Sequence, residues 1–410
     1  MDIGRRAFLT GVTAVGAGVA FPEAAYGGSR QAAVAPAPVR VVDRPSAATG
    51  PAPLPPAVRS RRALSARTTA ALPIVQHAST YNLAQVVRWL DQEHFAVGRW
   101  DGTMSVYDFE TAPFVGPIVT DVVNTPSAQG VRMITVLPRR TLVTSNDASS
   151  LAVWWTTSDR WADLRLRSTV SYDPALGAAT SGAFFSGDLS LLVVGHDNGY
   201  LSFWSVRPWS RTLRPHGQLN VQNPDPVNPW NLHSVYEVAP LVASGRYASV
   251  IAGSDDGYLS IVRVPGRTIV SQTVFNPSAQ RGINCVSVSG NKILVGNCSV
   301  GADDHNLWYF TADIRTGQLT LVDRANLIIN PAEVQSFNFE TVWGRYTDGP
   351  CWFAGTEEGA LWMGTADTSI EVIGHQPLSD GAIGAALDYT DGPGRLAAVI
   401  HNLQQFTTGA

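Results

Sequence analysis

The chain has 410 residues, of which 45% are hydrophobic and 15% are charged, and its formal net charge is -4 at pH 7. This balance is typical of a folded globular protein and gives no electrostatic attraction to nucleic acid, so we expect no nucleic-acid partner. The basic residues are almost all arginine, and Lys292 is the only lysine. We attribute that bias to a high-GC genome rather than to function.

The N-terminus places an arginine pair before an apolar run. Arg5-Arg6 precedes Phe8-Leu9, and a weakly apolar, glycine-rich stretch follows. This arrangement resembles a twin-arginine export signal, and the stretch is too short to span a bilayer. The resemblance implies a signal peptide over residues 1–27 and export to the cell envelope or the medium, with no membrane insertion after signal removal. The alternative is a basic N-terminus in which the arginine pair occurs by chance.

Residues 28–70 are rich in alanine, proline, arginine and serine and show no sustained apolar period. Such a composition cannot bury a core, so we predict a disordered linker. Arg59-Ser-Arg-Arg62 within it is either a processing site or part of a solvated basic segment, and we favour the second interpretation.

From residue 71 to the C-terminus, one pattern recurs seven times: an apolar run, a tight polar turn and a second apolar run that often ends in an aromatic residue. The turns contain Asp-Gly or Asn-Gly in the clearest copies, which predicts two-residue hairpins. Further apolar runs before and after each hairpin give four strands per unit. The turns of the seven copies lie at Asp101, Asp147, Asn198, Asp256, Asp303, Glu358 and His401.

Four-stranded units that recur every 43 to 58 residues or so are typical of propeller blades. Over residues 71–410 the chain resembles the WD-repeat-like seven-bladed propellers, although Tyr107-Asp108 is the nearest match to the Trp-Asp dipeptide of that family. The resemblance implies an all-β, seven-bladed β-propeller of four-stranded blades. It implies an architecture and no particular activity.

The last unit lacks a fourth strand, because the chain stops soon after the apolar run near Phe406. The segment Leu72–His77, which precedes the first complete unit, is a candidate for the missing strand. We therefore predict that the seventh blade is closed by the N-terminal strand, which removes an exposed sheet edge.

The turns between second and third strands should gather on one face of the propeller, at the mouth of its channel. We call this the turn face. Its acidic residues and histidines predict a cation site for a hard metal, a His/Asp-bound transition metal or an amine-bearing ligand. The alternative is that these acids serve turn geometry alone. The candidate ligand-binding residues are Trp100, Asp101, Trp230, His233, Asp255, Asp256 and Glu357.

Three histidines, His196, His305 and His401, occupy equivalent turn positions. They are candidate ligands of a divalent metal, and with Asp197 they are candidate catalytic groups, one histidine acting as general base. The twin-arginine resemblance is a weak further indication of a cofactor. The alternative is three independent surface histidines.

One loop on this face is long, stiffened by prolines, and carries Trp230 and His233. A rigid indole beside polar groups suits stacking on a sugar, a peptide or an aromatic metabolite. The alternative is a tryptophan that covers the core at a junction between units.

The three cysteines leave at least one thiol free. Cys285 and Cys298 lie on neighbouring predicted strands, so either they form a cross-strand disulfide or they are buried free thiols.

No nucleophile elbow, phosphate-binding loop, zinc helix or haem site occurs in the sequence. The first hypothesis is therefore an exported binding or scaffold propeller that recognises a small molecule, peptide, glycan or protein through its turn face. The second is a secreted hydrolase, lyase or cyclase of secondary metabolism, with a His/Asp site at the channel mouth and a divalent metal as its candidate cofactor.

Overall fold

The computed structural model describes residues 75–81, 84–99, 102–109, 119–123, 130–146, 149–222, 233–274, 282–299, 305–329, 336–346, 349–356, 359–377, 386–390, 395–400 and 402–407. Within these ranges the regular elements are strands, apart from single 3-10 turns at Pro174–Leu176 and Gly245–Tyr247. The all-β prediction is confirmed. None of the described helical segments is long and apolar enough to cross a membrane.

The described strands form six hydrogen-bonded sheets, five of four strands and one of eight. The first strand, β1 (Val75–Tyr81), belongs to the last sheet. The first two sheets are the meanders β2 (Ala84–Trp89), β3 (His94–Arg99), β4 (Thr103–Asp108) and β5 (Val119–Val123), then β6 (Ile134–Leu137), β7 (Thr141–Asn146), β8 (Ser150–Trp155) and β9 (Arg165–Ser171).

The next two sheets repeat the same antiparallel order. They are β10 (Ala179–Phe185), β11 (Leu191–His196), β12 (Tyr200–Arg207) and β13 (Thr212–Asn220), then β14 (Val235–Val242), β15 (Ser249–Ser254), β16 (Tyr258–Arg263) and β17 (Thr268–Val274). The prediction of four-stranded antiparallel units is confirmed.

The eight-stranded sheet contains two consecutive meanders. They are β18 (Ile283–Ser289), β19 (Lys292–Ser299), β20 (Leu307–Asp313) and β21 (Gln318–Ala325), then β22 (Ser336–Tyr346), β23 (Gly349–Thr356), β24 (Ala360–Ala366) and β25 (Ile370–Pro377). They share hydrogen bonds because the end of β19 pairs with the start of β22, at Cys298↔Phe337 and Ser299↔Ser336. The predicted count of seven blades is therefore wrong for the hydrogen-bonded sheets, of which the described chain has six.

The last sheet joins the two ends of the described chain. It consists of β26 (Ala386–Thr390), β27 (Arg395–Ile400), β28 (Asn402–Thr407) and β1. Strand β1 pairs antiparallel with β28, from Val75↔Thr407 to Tyr81↔Asn402. The predicted pairing of the two ends is thus present, although the strand runs from Val75 to Tyr81 rather than over Leu72–His77.

The hairpin turns have the geometry that their sequences favour. Gly199 and Gly257 have φ angles of 76° and 79°, which glycine adopts without a Cβ clash. Their amides donate to the carbonyls of His196 and Ser254 and close each turn. These turns place the polar residues that flank them at the same end of their sheets.

Apolar strand residues pack between neighbouring sheets and form the core. Phe203 of β12 lies in one cluster with Val250 and Val262 of the next sheet, and all three are fully buried. Burial of each such side chain contributes about 1.5–3 kcal/mol. Third-strand tryptophans add polar contacts, because the Nε1 of Trp154 donates to Thr144 Oγ1 at 2.9 Å and that of Trp362 donates to Thr356 Oγ1 at 3.1 Å.

Cys285 and Cys351 are both buried free thiols. Burial is the main cause that raises the pKa of each, which keeps the sulfur protonated and unreactive at neutral pH. Of the two alternatives for Cys285, the structure shows the free thiol and not the disulfide with Cys298.

Candidate functional site

The structure describes six of the candidate residues on the turn face. They are His196, Asp197, His233, Asp255, Asp256 and His305. Five others, Trp100, Asp101, Trp230, Glu357 and His401, lie outside the described residues.

His196 ends β11 and is fully buried. Its Nδ1 lies 3.3 Å from the carbonyl oxygen of Gly177, and its Nε2 lies 2.7 Å from Ser202 Oγ. Since a carbonyl only accepts, Nδ1 carries the hydrogen and Nε2 accepts from the serine hydroxyl. Burial lowers the pKa of His196 to about 4, so the ring is neutral and engaged through both nitrogens.

Asp197 connects three successive sheets. Its Oδ2 accepts a hydrogen bond from Arg132 Nη1 at 2.7 Å, and its Oδ1 accepts one from Ser234 Oγ at 2.7 Å. Arg132 precedes β6, Asp197 follows β11 and Ser234 precedes β14. The carboxylate therefore holds neighbouring units together at the turn face.

The turn after β15 is also tied to its surroundings. Asp256 is buried, accepts from Ser254 Oγ, and places Oδ2 3.2 Å from Nδ1 of His233. Tyr236 donates its hydroxyl to Asp255 Oδ2 at 3.3 Å. The side chain of His233 is 20% exposed, so its ring reaches the surface with a carboxylate behind it.

His305 lies just before β20. Its carbonyl accepts from Trp308 Nε1 at 3.0 Å, and its ring lies edge-on to the Trp308 ring. Across the described residues, no three histidine, cysteine, aspartate or glutamate side chains are grouped as metal ligands. The three-histidine metal hypothesis includes His401, which is not described, and it stays a prediction.

The innermost strands of the meanders enclose a central cavity of about 400 Å³. Its lining comes from β2, β6, β10, β14, β18, β22 and β26, and most of the lining residues are uncharged. Four charged residues of the described chain line it: Arg88, Glu237, Glu340 and Asp388. The channel therefore holds three carboxyl groups and one guanidinium.

Arg88 and Asp388 meet where the first and last sheets adjoin. Arg88 Nη1 lies 3.8 Å from Asp388 Oδ1, and Asp388 also accepts from the amides of Trp89 at 2.7 Å and Tyr389 at 3.0 Å. Burial raises the pKa of Asp388 above its ordinary value, even though Arg88 and the two amides lower it. Burial by itself lowers the pKa of Arg88. The carboxyl groups of Asp388, Glu237 and Glu340 together outweigh this effect, so the pKa is raised above its ordinary value and the guanidinium stays charged.

The sequence analysis missed these channel residues. Arg88, Glu237 and Asp388 are each the single charged residue of an inner strand, whereas the strand of Glu340 also contains Arg345. Glu237 and Glu340 pair with Gly253 and Gly355, the glycines that end the second-strand runs of their units. An acidic residue paired with that glycine was the sequence signal that could have identified Glu237 and Glu340 as channel residues.

Comparison with known proteins gives the fold alone. No family model matches the chain, and no curated protein matches it. Among solved structures, the chain is similar to the β-propeller domain of Cps50 (Swd1) from Myceliophteria thermophila, with a TM-score of 0.59 and 14% identity over 80% of this chain and 98% of that one. The chain is therefore a β-propeller of four-stranded antiparallel blades, a fold compatible with a scaffold or binding role.

Proposed function

We propose that the protein is an exported binding or scaffold propeller that binds a cationic group of its partner in the channel. The observation that carries the proposal is the charge of the channel, in which Glu237, Glu340 and Asp388 surround one guanidinium. In a partly enclosed space of low dielectric, an excess of carboxylates attracts an amine or guanidinium.

The hydrogen bonding of Arg88 also supports the proposal. Its Nε is buried and has no partner in the described chain. Yet 38% of the side chain is exposed, and it borders the cavity. An incoming ligand that offers a hydrogen-bond acceptor near its cationic group would satisfy this donor.

The test is the binding of fluorescent hexa-arginine and hexa-glutamate peptides to the full chain, followed by anisotropy. We expect hexa-arginine to bind, and Glu237→Gln with Glu340→Gln to weaken it at least about fivefold. The control is Asp313→Asn, an exposed acid in the β20–β21 turn, which should leave affinity unchanged. Equal affinity for both peptides, or no effect of the channel variants, would reject the channel as the binding site.

Export is proposed from the N-terminal pattern. In a host with a twin-arginine translocase, Arg5→Lys with Arg6→Lys should move the protein from the exported to the cytoplasmic fraction. Arg61→Lys with Arg62→Lys, which changes an arginine pair of the linker, is the matched control. Unchanged export of the first variant would contradict the proposal.

We further propose that the eight-stranded sheet serves as two radial units, so that seven inner strands surround the channel. Support comes from the cavity lining, which draws on β18 and β22 as well as five other inner strands. A diffraction structure with β18 or β22 away from the channel would overturn this count.

A second candidate function rests on the His233–Asp256 pair. A partly exposed imidazole held by a buried carboxylate is the arrangement of a general base. If the protein is a hydrolase, His233→Ala should lower turnover of chromogenic ester or glycoside substrates about 100-fold, whereas His216→Ala, on exposed strand β13, should not. Wild-type protein without turnover on either class would remove this candidate.

A further inference from the structure

The end of the propeller opposite the turn face carries a cluster of arginines and tryptophans, of which Trp155 and Arg211 are half-buried and the others are exposed. Strand β12 has Asp197 in the turn before it and Trp209 in the turn after it, so the two residues lie at opposite ends of one strand. We call the cluster the arginine–tryptophan patch. It comprises Arg139, Arg140, Trp155, Arg207, Trp209 and Arg211, which lie at the ends of the β6–β9 and β10–β13 sheets.

Two stacked pairs cross the boundary between these sheets. The guanidinium carbon of Arg139 lies 3.1 Å from the centre of the Trp209 ring, and that of Arg211 lies 4.4 Å from the Trp155 ring. Trp209 is nevertheless 80% exposed, because the arginine covers one face of its ring only. The patch therefore presents an indole face, fixed in place, beside cationic groups.

The backbone at the patch has the positive φ angles that short hairpin turns use. Arg139, Arg140 and Arg211 have φ angles of 64°, 52° and 52°. This left-handed region disfavours a residue with a Cβ by roughly 1–2 kcal/mol, and glycine or asparagine is the usual solution.

Within the described ranges the patch arginines are not ion-paired, although Asp159, Asp163 and Asp188 lie in turns at the same end of these two sheets. In the described part of the chain, Arg139, Arg207 and Arg211 have no carboxylate partner, and Arg140 donates to the carbonyl of Thr157 at 3.3 Å. The Nε of Arg211 is buried and without a hydrogen-bond partner there. This contrasts with the turn face, where Arg132 is paired with Asp197.

We infer that the arginine–tryptophan patch is a binding site for an acidic polysaccharide, a glycan whose sugar units carry carboxylate or sulfate groups. Guanidinium groups bind such anions through paired hydrogen bonds, and the exposed indole stacks on the apolar C–H face of a sugar ring. An acidic peptide offers the charge without the ring. A nucleic acid offers both, so it is included in the test as a competing ligand. The inference is independent of the channel.

The test is binding of the full chain to a heparin oligosaccharide and to polygalacturonate at 150 mM salt, by calorimetry. Poly-L-glutamate and oligo-dT are the competing polyanions. We expect Trp209→Ala to weaken glycan binding at least about tenfold, and Arg139→Ala with Arg211→Ala to do the same. Trp209→Phe, which retains a ring, should stay within about threefold of wild type. Binding of heparin alone would assign recognition to sulfate, and binding of both glycans would assign it to the shared carboxylate.

The matched control is Arg246→Ala with Arg315→Ala. Arg246 is exposed and stacks on Tyr247 at 4.7 Å, and Arg315 is exposed in the β20–β21 turn, so both lie outside the patch. The control should leave affinity unchanged, which shows that the loss in the patch variants does not follow from removing any two exposed arginines. Where an alanine variant does not fold, Arg139→Lys with Arg211→Lys keeps the charge, loses the paired donors and should still weaken binding.

Three results would overturn the inference. One is the absence of glycan binding at 150 mM salt. Another is equal affinity of patch variants and wild type. The third is binding of poly-L-glutamate or oligo-dT as tight as that of the glycans and insensitive to Trp209→Ala, which would show general attraction of charge.

Discussion

The two ends of strand β12 carry polar residues of opposite kinds. At the turn face, His196 and Asp197 are buried or nearly so, and each of their polar atoms has a partner inside the protein. At the other end, Arg207 and Trp209 are exposed, and the Trp209 ring stacks with the guanidinium of Arg139. Polar and aromatic residues therefore indicate a binding site only where their hydrogen-bonding groups are not already paired within the fold.

The largest contrast should appear in stability. His196→Ala removes a buried ring and leaves Ser202 and the Gly177 carbonyl without their partner, so we expect a loss of about 2–4 kcal/mol in the free energy of unfolding. Arg246→Ala at the exposed end should change it by less than about 0.5 kcal/mol. Denaturant unfolding followed by circular dichroism measures both. Similar losses in the two variants would remove the distinction between the ends.

The turn face should also respond to acid. The pKa of His196 is about 4 in the fold and 6.5 in an unfolded chain, so its contribution to stability is complete above pH 6.5 and is lost as pH falls toward 4. The loss reaches about 3 kcal/mol once the pH lies below both values. The buried His94 has the opposite sign, because the hydrogen bond with Asp91 raises its pKa and stabilises the fold at low pH.

His196→Gln isolates the first effect. The difference in unfolding free energy between wild type and this variant should shrink between pH 6.5 and 4 and stay constant above pH 7. A difference that is independent of pH would show that His196 titrates normally in the fold.

The Arg132–Asp197 pair should couple neighbouring sheets. Its side chains are 16% and 9% exposed, so the pair is poorly screened by solvent. Arg132→Ala and Asp197→Asn should each cost about 1–3 kcal/mol, and a double-mutant cycle should give a coupling of at least about 1 kcal/mol. Additive effects of the two substitutions would contradict a direct interaction.

The smallest effect concerns the turns of the arginine–tryptophan patch. Arg140→Gly removes a Cβ from a residue with a positive φ, which favours the fold, but it also increases the conformational entropy of the unfolded chain. We therefore expect the free energy of unfolding to stay within about 1 kcal/mol of wild type. Thermal unfolding of Arg140→Gly beside Pro138→Gly, which changes a neighbouring exposed turn residue, is the measurement. A loss well above 1 kcal/mol would assign Arg140 a structural role.

Much of the fold could be predicted because its signals are local. The turn glycines Gly199 and Gly257 require a backbone that few other residues adopt, and apolar runs on either side of such turns predict hairpins. The count of sheets could not be predicted in the same way. It depends on hydrogen bonds between Cys298 and Phe337 at two strand ends, which no periodicity of the sequence records.

The position of a residue in the repeat predicted less of the candidate site than of the fold. Equivalent turn positions correctly placed His196 at the turn face, but they did not show that its ring points inward to Ser202. The arginine–tryptophan patch was missed because Arg139 and Trp209 are 70 residues apart and meet only when neighbouring sheets pack. Arg88 was missed because it is one charge in an apolar strand.

The antiparallel ladder between β1 and β28 places Val75 beside Thr407. Backbone connectivity around the protein is thus almost circular, and the position in this circle at which the chain begins is of little consequence for the folded state. A permuted chain that joins these neighbours by a short flexible tether and begins at the exposed Gly290–Asn291 turn should adopt the same arrangement of strands.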